Sequence, residues 1–212
     1  MATLLLSLVI FSQADAGVPA GSPRGDGAMS TASPRPVGAG LDAALALLGS
    51  PYTWGGRLRG RQGLDCMGVV LAAAERASGC GWRSYSVKPT ELVAQRVWGA
   101  PVEGLAPVAT DALDVTRLER GDVLLLVGPT PNPAEPPIGR LADVDVWVWH
   151  VGLSLGAGRA LFGDHHAGAT VEEPLVPYLQ RFRSEYSGLF VLRGPATRPS
   201  RCRTHAPLGQ TM

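Results

Sequence analysis

A thiolate is the strongest nucleophile a chain carries without a cofactor, so the three cysteines, Cys66, Cys80 and Cys202, come first. Cys66 stands in Gly63-Leu64-Asp65-Cys66-Met67-Gly68-Val69-Val70. Asp65 can cap a helix start there, and Met67, Val70, Leu71 and Ala74 recur at helical spacing. Cys66 would then lie in the first helical turn, where unpaired N–H groups and the macrodipole lower a thiol's pKa. The competing reading is an ordinary core cysteine, since free cysteine is among the most buried residue types. No C-x-x-C pair exists, so neither a zinc ribbon nor a thioredoxin-like motif is indicated. A Cys80–Cys202 disulfide is conceivable, but no spacing supports it, and both are read as unpaired thiols.

A nucleophilic cysteine needs a base, and there are four histidines: His150, His165, His166 and His205. His205 lies in a polar tail and is set aside. His150 sits in Val148-Trp149-His150-Val151-Gly152-Leu153, a run with strand character. From a sheet beside the helix start it could hold the thiolate as an ion pair, or it could be a satisfied core histidine. A third group would orient the imidazole and fix its tautomer. Asp164, His165 and His166 lie at the end of the next strand and are the candidates.

The elements that must position these groups follow from pattern. Residues 41–48 form a short apolar helix ended by Gly49, residues 64–78 a helix closed by Gly79, and residues 89–97 a third helix opened by Pro89. Residues 99–117 read as irregular. Strands are expected at 123–127, 144–155, 159–162, 170–173 and 189–193, with a loop at 128–143 that holds five prolines. By alternation Trp147 and Trp149 point opposite to His150 and pack on the far face. Helices first and an antiparallel sheet second make an α+β architecture.

Four motifs occur in order: Tyr52-Thr53-Trp54-Gly55-Gly56, Gly63 to Val70, Gly121-Asp122-Val123, and His150-Val151-Gly152-Leu153. Together they resemble the ordered motifs of NlpC/P60 cysteine peptidases, over about residues 43–192. The resemblance implies a papain-like NlpC/P60 fold, with the cysteine at a helix start packed on an antiparallel sheet. It implies hydrolysis of amide bonds in peptidoglycan stem peptides, of the D-γ-glutamyl endopeptidase type, through a Cys–His thioester. Residue by residue, Cys66 is the nucleophile and His150 the base. Tyr52 lines the site, as a packing aromatic or an oxyanion donor. Asp65 binds the free amine of the substrate or serves only as the helix cap.

Two positions depart from the family pattern. Met67 stands where serine is usual, as in the phage-tail and gene-transfer-agent branch. The family's His-Ala after the base falls on Gly163-Asp164, and glycine cannot orient an imidazole. Strand alternation would put His165 on the side that position 163 faces, so the third group is taken as His165, then His166, then Asp164. The alternative function is a phage-like tail-tip or gene-transfer-agent component with accessory or decayed wall-hydrolase activity. A non-catalytic wall-binding module, or an amidase or acyltransferase on the same pair, is a further option.

Composition narrows the rest. A net charge of +1 with 19 basic and 18 acidic residues argues against a duplex nucleic-acid binder. No phosphate loop is visible, no cofactor is implied, and no metal is implied because His165 and His166 lack partner ligands at useful spacing. The expected partners are peptidoglycan peptides, with phage-like tail proteins under the alternative. Residues 4–11 form an apolar run too short for a stable membrane span, followed by Ala14-Asp15-Ala16. This reads either as a signal peptide without its positive n-region or as a leader upstream of a true start at Met29. The expected organisation is a leader and linker at 1–37, the peptidase domain at 38–195, and a flexible tail at 196–212. The expected location is extracytoplasmic, periplasmic or secreted, or within a phage-like particle.

Overall fold

The computed structural model describes residues 37–57, 63–194 and 202. The leader reading, the apolar run and nearly all of the tail lie outside these residues. Four helices, α1 (Val37–Leu45), α2 (Cys66–Ser78), α3 (Pro89–Ala94) and α4 (Leu175–Arg181), accompany an antiparallel sheet. Its strands are β1 (Ala100–Pro101), β2 (Val108–Ala109), β3 (Val123–Gly128), β4 (Gly139–Leu141), β5 (Val144–Gly156), β6 (Arg159–Asp164), β7 (Ala169–Pro174) and β8 (Gly188–Arg193). The main path runs β1-β8-β3-β5-β6-β7, with β2 on β8 and β4 on β5. The α+β class expected from the sequence is the one observed.

The central strand shows why the sheet is two-faced. Every residue of β3 is buried, and alternate residues enter different cores. Val123, Leu125 and Val127 join Val151, Leu153 and Leu161 under α1 and α2. Leu124 and Leu126 join Phe162, Leu189 and Val191 under Leu175, Tyr178 and Leu179 of α4. A strand covered on both sides reads as a continuous apolar run rather than an alternating one, which is why Val123 to Val127 is so plain in the sequence.

Helix α2 has the caps its flanks foretell. The Asp65 carboxylate accepts the Gly68 N–H at 2.7 Å. Gly79 closes the helix in the left-handed region (φ 75°), and its N–H reaches the Glu75 carbonyl at 2.9 Å. Without a side chain, Gly79 adopts that conformation at little steric cost. Residues 67–74 are all buried, so the helix is enclosed well beyond the expected stripe.

Several expectations need correction. The first helix begins at Val37 and gives way to turns after Leu45, and α3 stops at Ala94. The stretch 99–117 holds β1 and β2, each two residues long, and the proline-rich loop holds β4. Helix α4 was not anticipated. It tolerates Pro177, the third helical residue, because that lies in the first turn, where a missing N–H costs nothing. Cys80 and Cys202 are not free thiols. They form a disulfide across 122 residues, with Cα atoms 5.3 Å apart, and this ties the tail at position 202 to the end of α2. Sequence spacing could not show this, because the two cysteines are 122 residues apart and adjoin only through the fold.

Candidate active site

Cys66 is the first residue of α2 and the one free cysteine among the described residues. Its helix start is clamped from three sides. Asp65 is 4% exposed, and besides capping α2 it accepts the Gly55 N–H at 3.1 Å and pairs with the Arg57 guanidinium. Both Asp65 oxygens are therefore committed within the chain. The loop carrying Tyr52 is held by Tyr52 N–H on the Gly168 carbonyl at 2.8 Å and Thr53 N–H on the Leu64 carbonyl at 3.0 Å. The third clamp is β6. A Cβ on Gly163 would stand 2.7 Å from the Asp65 carbonyl oxygen and 3.0 Å from the Cys66 nitrogen. Position 163 is glycine because the start of α2 lies against it.

His150 lies on β5, 3% exposed, stacked between Phe162 at 5.3 Å and Tyr186 at 5.9 Å, with Tyr178 at 6.2 Å. A β-bulge lies beside it. Leu126 of β3 opposes His150, but the next residue, Val127, opposes Val148, so Trp149 is an extra residue in β5. The bulge overturns the alternation argument for Trp149. This tryptophan is 41% exposed and stands in the same cleft as His150 and Cys66, with its indole N–H on the Thr130 carbonyl at 2.9 Å. Trp147 is half-buried and does not line that cleft.

The cleft has a volume of about 550 Å³. It brings together Cys66, His150, Tyr52 and His165 from the sequence expectations, and adds Trp54, Trp149, Glu185 and Tyr186. Asp65, Asp164 and His166 do not line it. His165 lines the cleft on the side that Gly163 faces, but not as a strand residue. Strand β6 ends at Asp164, so His165 is the first residue of an exposed turn, and strand geometry no longer sets its direction. Asp164, by contrast, is 1% exposed. The β5–β6 ladder begins at Gly152 and Phe162, and beyond it Asp164 is near enough to His150 for its charge to act on the imidazole. Its Oδ1 accepts the backbone N–H of His166 at 2.7 Å and of Ala167 at 3.3 Å.

Electrostatics favours neutral groups in the resting site. Burial pushes the Cys66 thiol up, opposed by the N–H of Val151, by that of Met67 and by Arg57. Val151 follows His150 in β5, so the same backbone turn presents the imidazole and an N–H to the cysteine's surroundings. Burial lowers His150 to about 4, Asp164 acts against that, and His165 and His166 add to it. Asp164 is thus the group whose field favours an imidazolium at His150, whereas His165 opposes one. Burial also raises the Tyr52 hydroxyl to about 12, helped by Cys66 and Asp164 and opposed by Arg57, so it stays a hydrogen-bond donor.

Arg57 was missed by sequence reading. It follows the Tyr52–Gly56 motif directly, and its charge favours a thiolate at Cys66 while it holds Asp65. Five residues in a row that look like a packing loop gave no reason to extend the motif by one. Glu185 and Tyr186 were missed because they enter from the connection between α4 and β8, far along the chain.

No family model and no curated protein sequence matches this chain. Its fold is similar to solved structures at low identity. The NlpC/p60 domain of the peptidoglycan hydrolase SagA is 18% identical with a TM-score of 0.45, over 76% of this chain and 100% of that one. NlpC2 from Trichomonas vaginalis is 17% identical with a TM-score of 0.47, over 73% of this chain and 45% of that one. The peptidoglycan hydrolase RipB from Mycobacterium tuberculosis is 20% identical with a TM-score of 0.44, over 74% of this chain and 63% of that one.

Proposed function

We propose that this protein is a cysteine peptidase of the NlpC/P60 kind that hydrolyses amide bonds in peptidoglycan stem peptides, next to D-γ-glutamyl. The observation that carries the reading is one cleft in which a free cysteine at a helix start meets a buried strand histidine. The order of the four motifs supports the substrate class.

The chemistry starts from a neutral thiol and a neutral imidazole, the forms that burial favours at both groups. Substrate binding brings the amide carbonyl carbon to the Cys66 sulfur. As the S–C bond forms, the thiol proton passes to His150, and the tetrahedral oxyanion takes a hydrogen bond from the Cys66 N–H and the Tyr52 hydroxyl. Asp164 and Arg57 stabilise the charges that appear at this moment, the first at His150 and the second at sulfur. His150 then gives the proton to the leaving amine, and a thioester remains. Water, deprotonated by His150, cleaves the thioester and restores the thiol. Asp164 acts on His150 through its field and is a positioning residue, in place of His165. Asp65 is the helix cap, because its oxygens are occupied.

The disulfide fits an oxidising, extracytoplasmic location, where peptidoglycan lies. No helix among the described residues is long and apolar enough to cross a membrane. The test is digestion of purified stem-peptide fragments followed by mass spectrometry. New fragments with the parent and none with Cys66→Ala support the reading. Equal fragments from both proteins refute the thioester mechanism, and fragments from neither refute the substrate class.

A further inference from the structure

The turn after β6 and the connection between α4 and β8 bring three potential ligands to one spot. These are His165, His166 and Glu185, with one donor atom from each lying within 4.8 Å of the others. The arrangement is braced. The Asp164 carboxylate holds the turn through the N–H groups of His166 and Ala167. The His166 ring lies on Phe182 at 4.2 Å and 12°. Its Nε2 is 3.4 Å from a Glu185 oxygen, and the His165 ring is 3.7 Å from that of His166. The sequence hid this cluster, because the two histidines find their third partner only across the fold.

Two imidazoles and one carboxylate form the donor set of an open zinc site, with the fourth position left to water. Zinc bonds of 2.0–2.1 Å to such ligands require donor separations of roughly 3.3 Å in a tetrahedron. All three side chains are exposed, so small rotations that keep the His166 ring on Phe182 would close the remaining gap.

We infer that His165, His166 and Glu185 bind one Zn²⁺ ion, and that the bound ion shields the Cys66 thiol. His165 and Glu185 line the cleft that holds Cys66, so the ion and its water stand in the approach to the sulfur. This inference does not depend on the reaction proposed above, and neither readout below needs a peptide substrate.

The experiment titrates ZnCl₂ into metal-free full-length protein by calorimetry and follows alkylation of Cys66 by iodoacetamide. The disulfide leaves Cys66 as the free thiol among the described residues, and mass spectrometry identifies the labelled peptide. One ion binds per chain. His166→Gln weakens binding about tenfold or more, and Glu185→Gln weakens it severalfold. Cys66→Ala leaves the affinity unchanged. Saturating zinc slows alkylation in the parent but not, at the same concentration, in His166→Gln. Both changes are at exposed positions, and near-ultraviolet circular dichroism verifies their folding. Loss of binding in Cys66→Ala would place the metal on the thiol and overturn the inference. So would unchanged affinity in both ligand variants, or unchanged alkylation with zinc bound.

Discussion

Acidification should destabilise this protein through His150. Its side chain is 3% exposed among aromatic rings, and burial lowers it from 6.5 to about 4. Above pH 6.5 the folded and unfolded chains both hold the imidazole neutral. Between 6.5 and about 4 the unfolded chain takes up a proton that the folded chain does not. Stability therefore rises with pH across this window and is lost on acidification, and below about 4 this group causes no further loss. The span from 6.5 to about 4, at about 1.36 kcal/mol per pH unit, comes to ~3 kcal/mol. That is a large part of the stability of about 5–15 kcal/mol typical of a domain. Urea unfolding followed by circular dichroism at neutral pH and near pH 4.5, in metal-free buffer, measures it. His150→Phe is the reference, because it keeps a ring in the stack and removes the titration. The parent should lose on the order of 2–3 kcal/mol more than His150→Phe over that interval. Equal losses in the two proteins, or a His150 proton resonance that titrates near 6.5, would refute the reasoning.

Three further outcomes are expected. Gly163→Ala puts a methyl group 2.7 Å from the Asp65 carbonyl oxygen, so the start of α2 must shift. It should reduce kcat by about tenfold or more, with a smaller effect on KM, read from initial rates on a stem peptide. Cys80→Ser opens the Cys80–Cys202 link and should cost about 2–4 kcal/mol in urea unfolding, while the alkylation rate of Cys66 stays unchanged. Asp164→Asn removes the field that favours a charged His150 and should lower the imidazole further, visible by NMR, with kcat reduced and KM little changed.

The legible parts of the sequence were those where local chemistry and the final environment agree. Asp65 and Gly79 announce both ends of α2, and five apolar residues in a row announce β3. Cys66 and His150 were legible because each sits inside a motif several residues long. What could not be read depended on long-range geometry. One extra residue in β5 turned Trp149 toward the cleft and defeated a count by twos. The end of β6 at Asp164 left His165 in an exposed turn, although it still lines the cleft. Cys80 with Cys202, and His166 with Glu185, carry no mark of each other in sequence and meet only through the fold.

The same chain keeps two cysteines oxidised and a third as a thiol. An environment that closes the Cys80–Cys202 link also threatens a working sulfur with sulfenic acid, and the form at risk is the thiolate. Burial raises the Cys66 thiol, which favours the thiol over the more readily oxidised thiolate. In the proposed mechanism the thiol gives up its proton to His150 only as sulfur attacks the bound amide. The burial that raises the thiol would thus also protect it wherever the Cys80–Cys202 link can form.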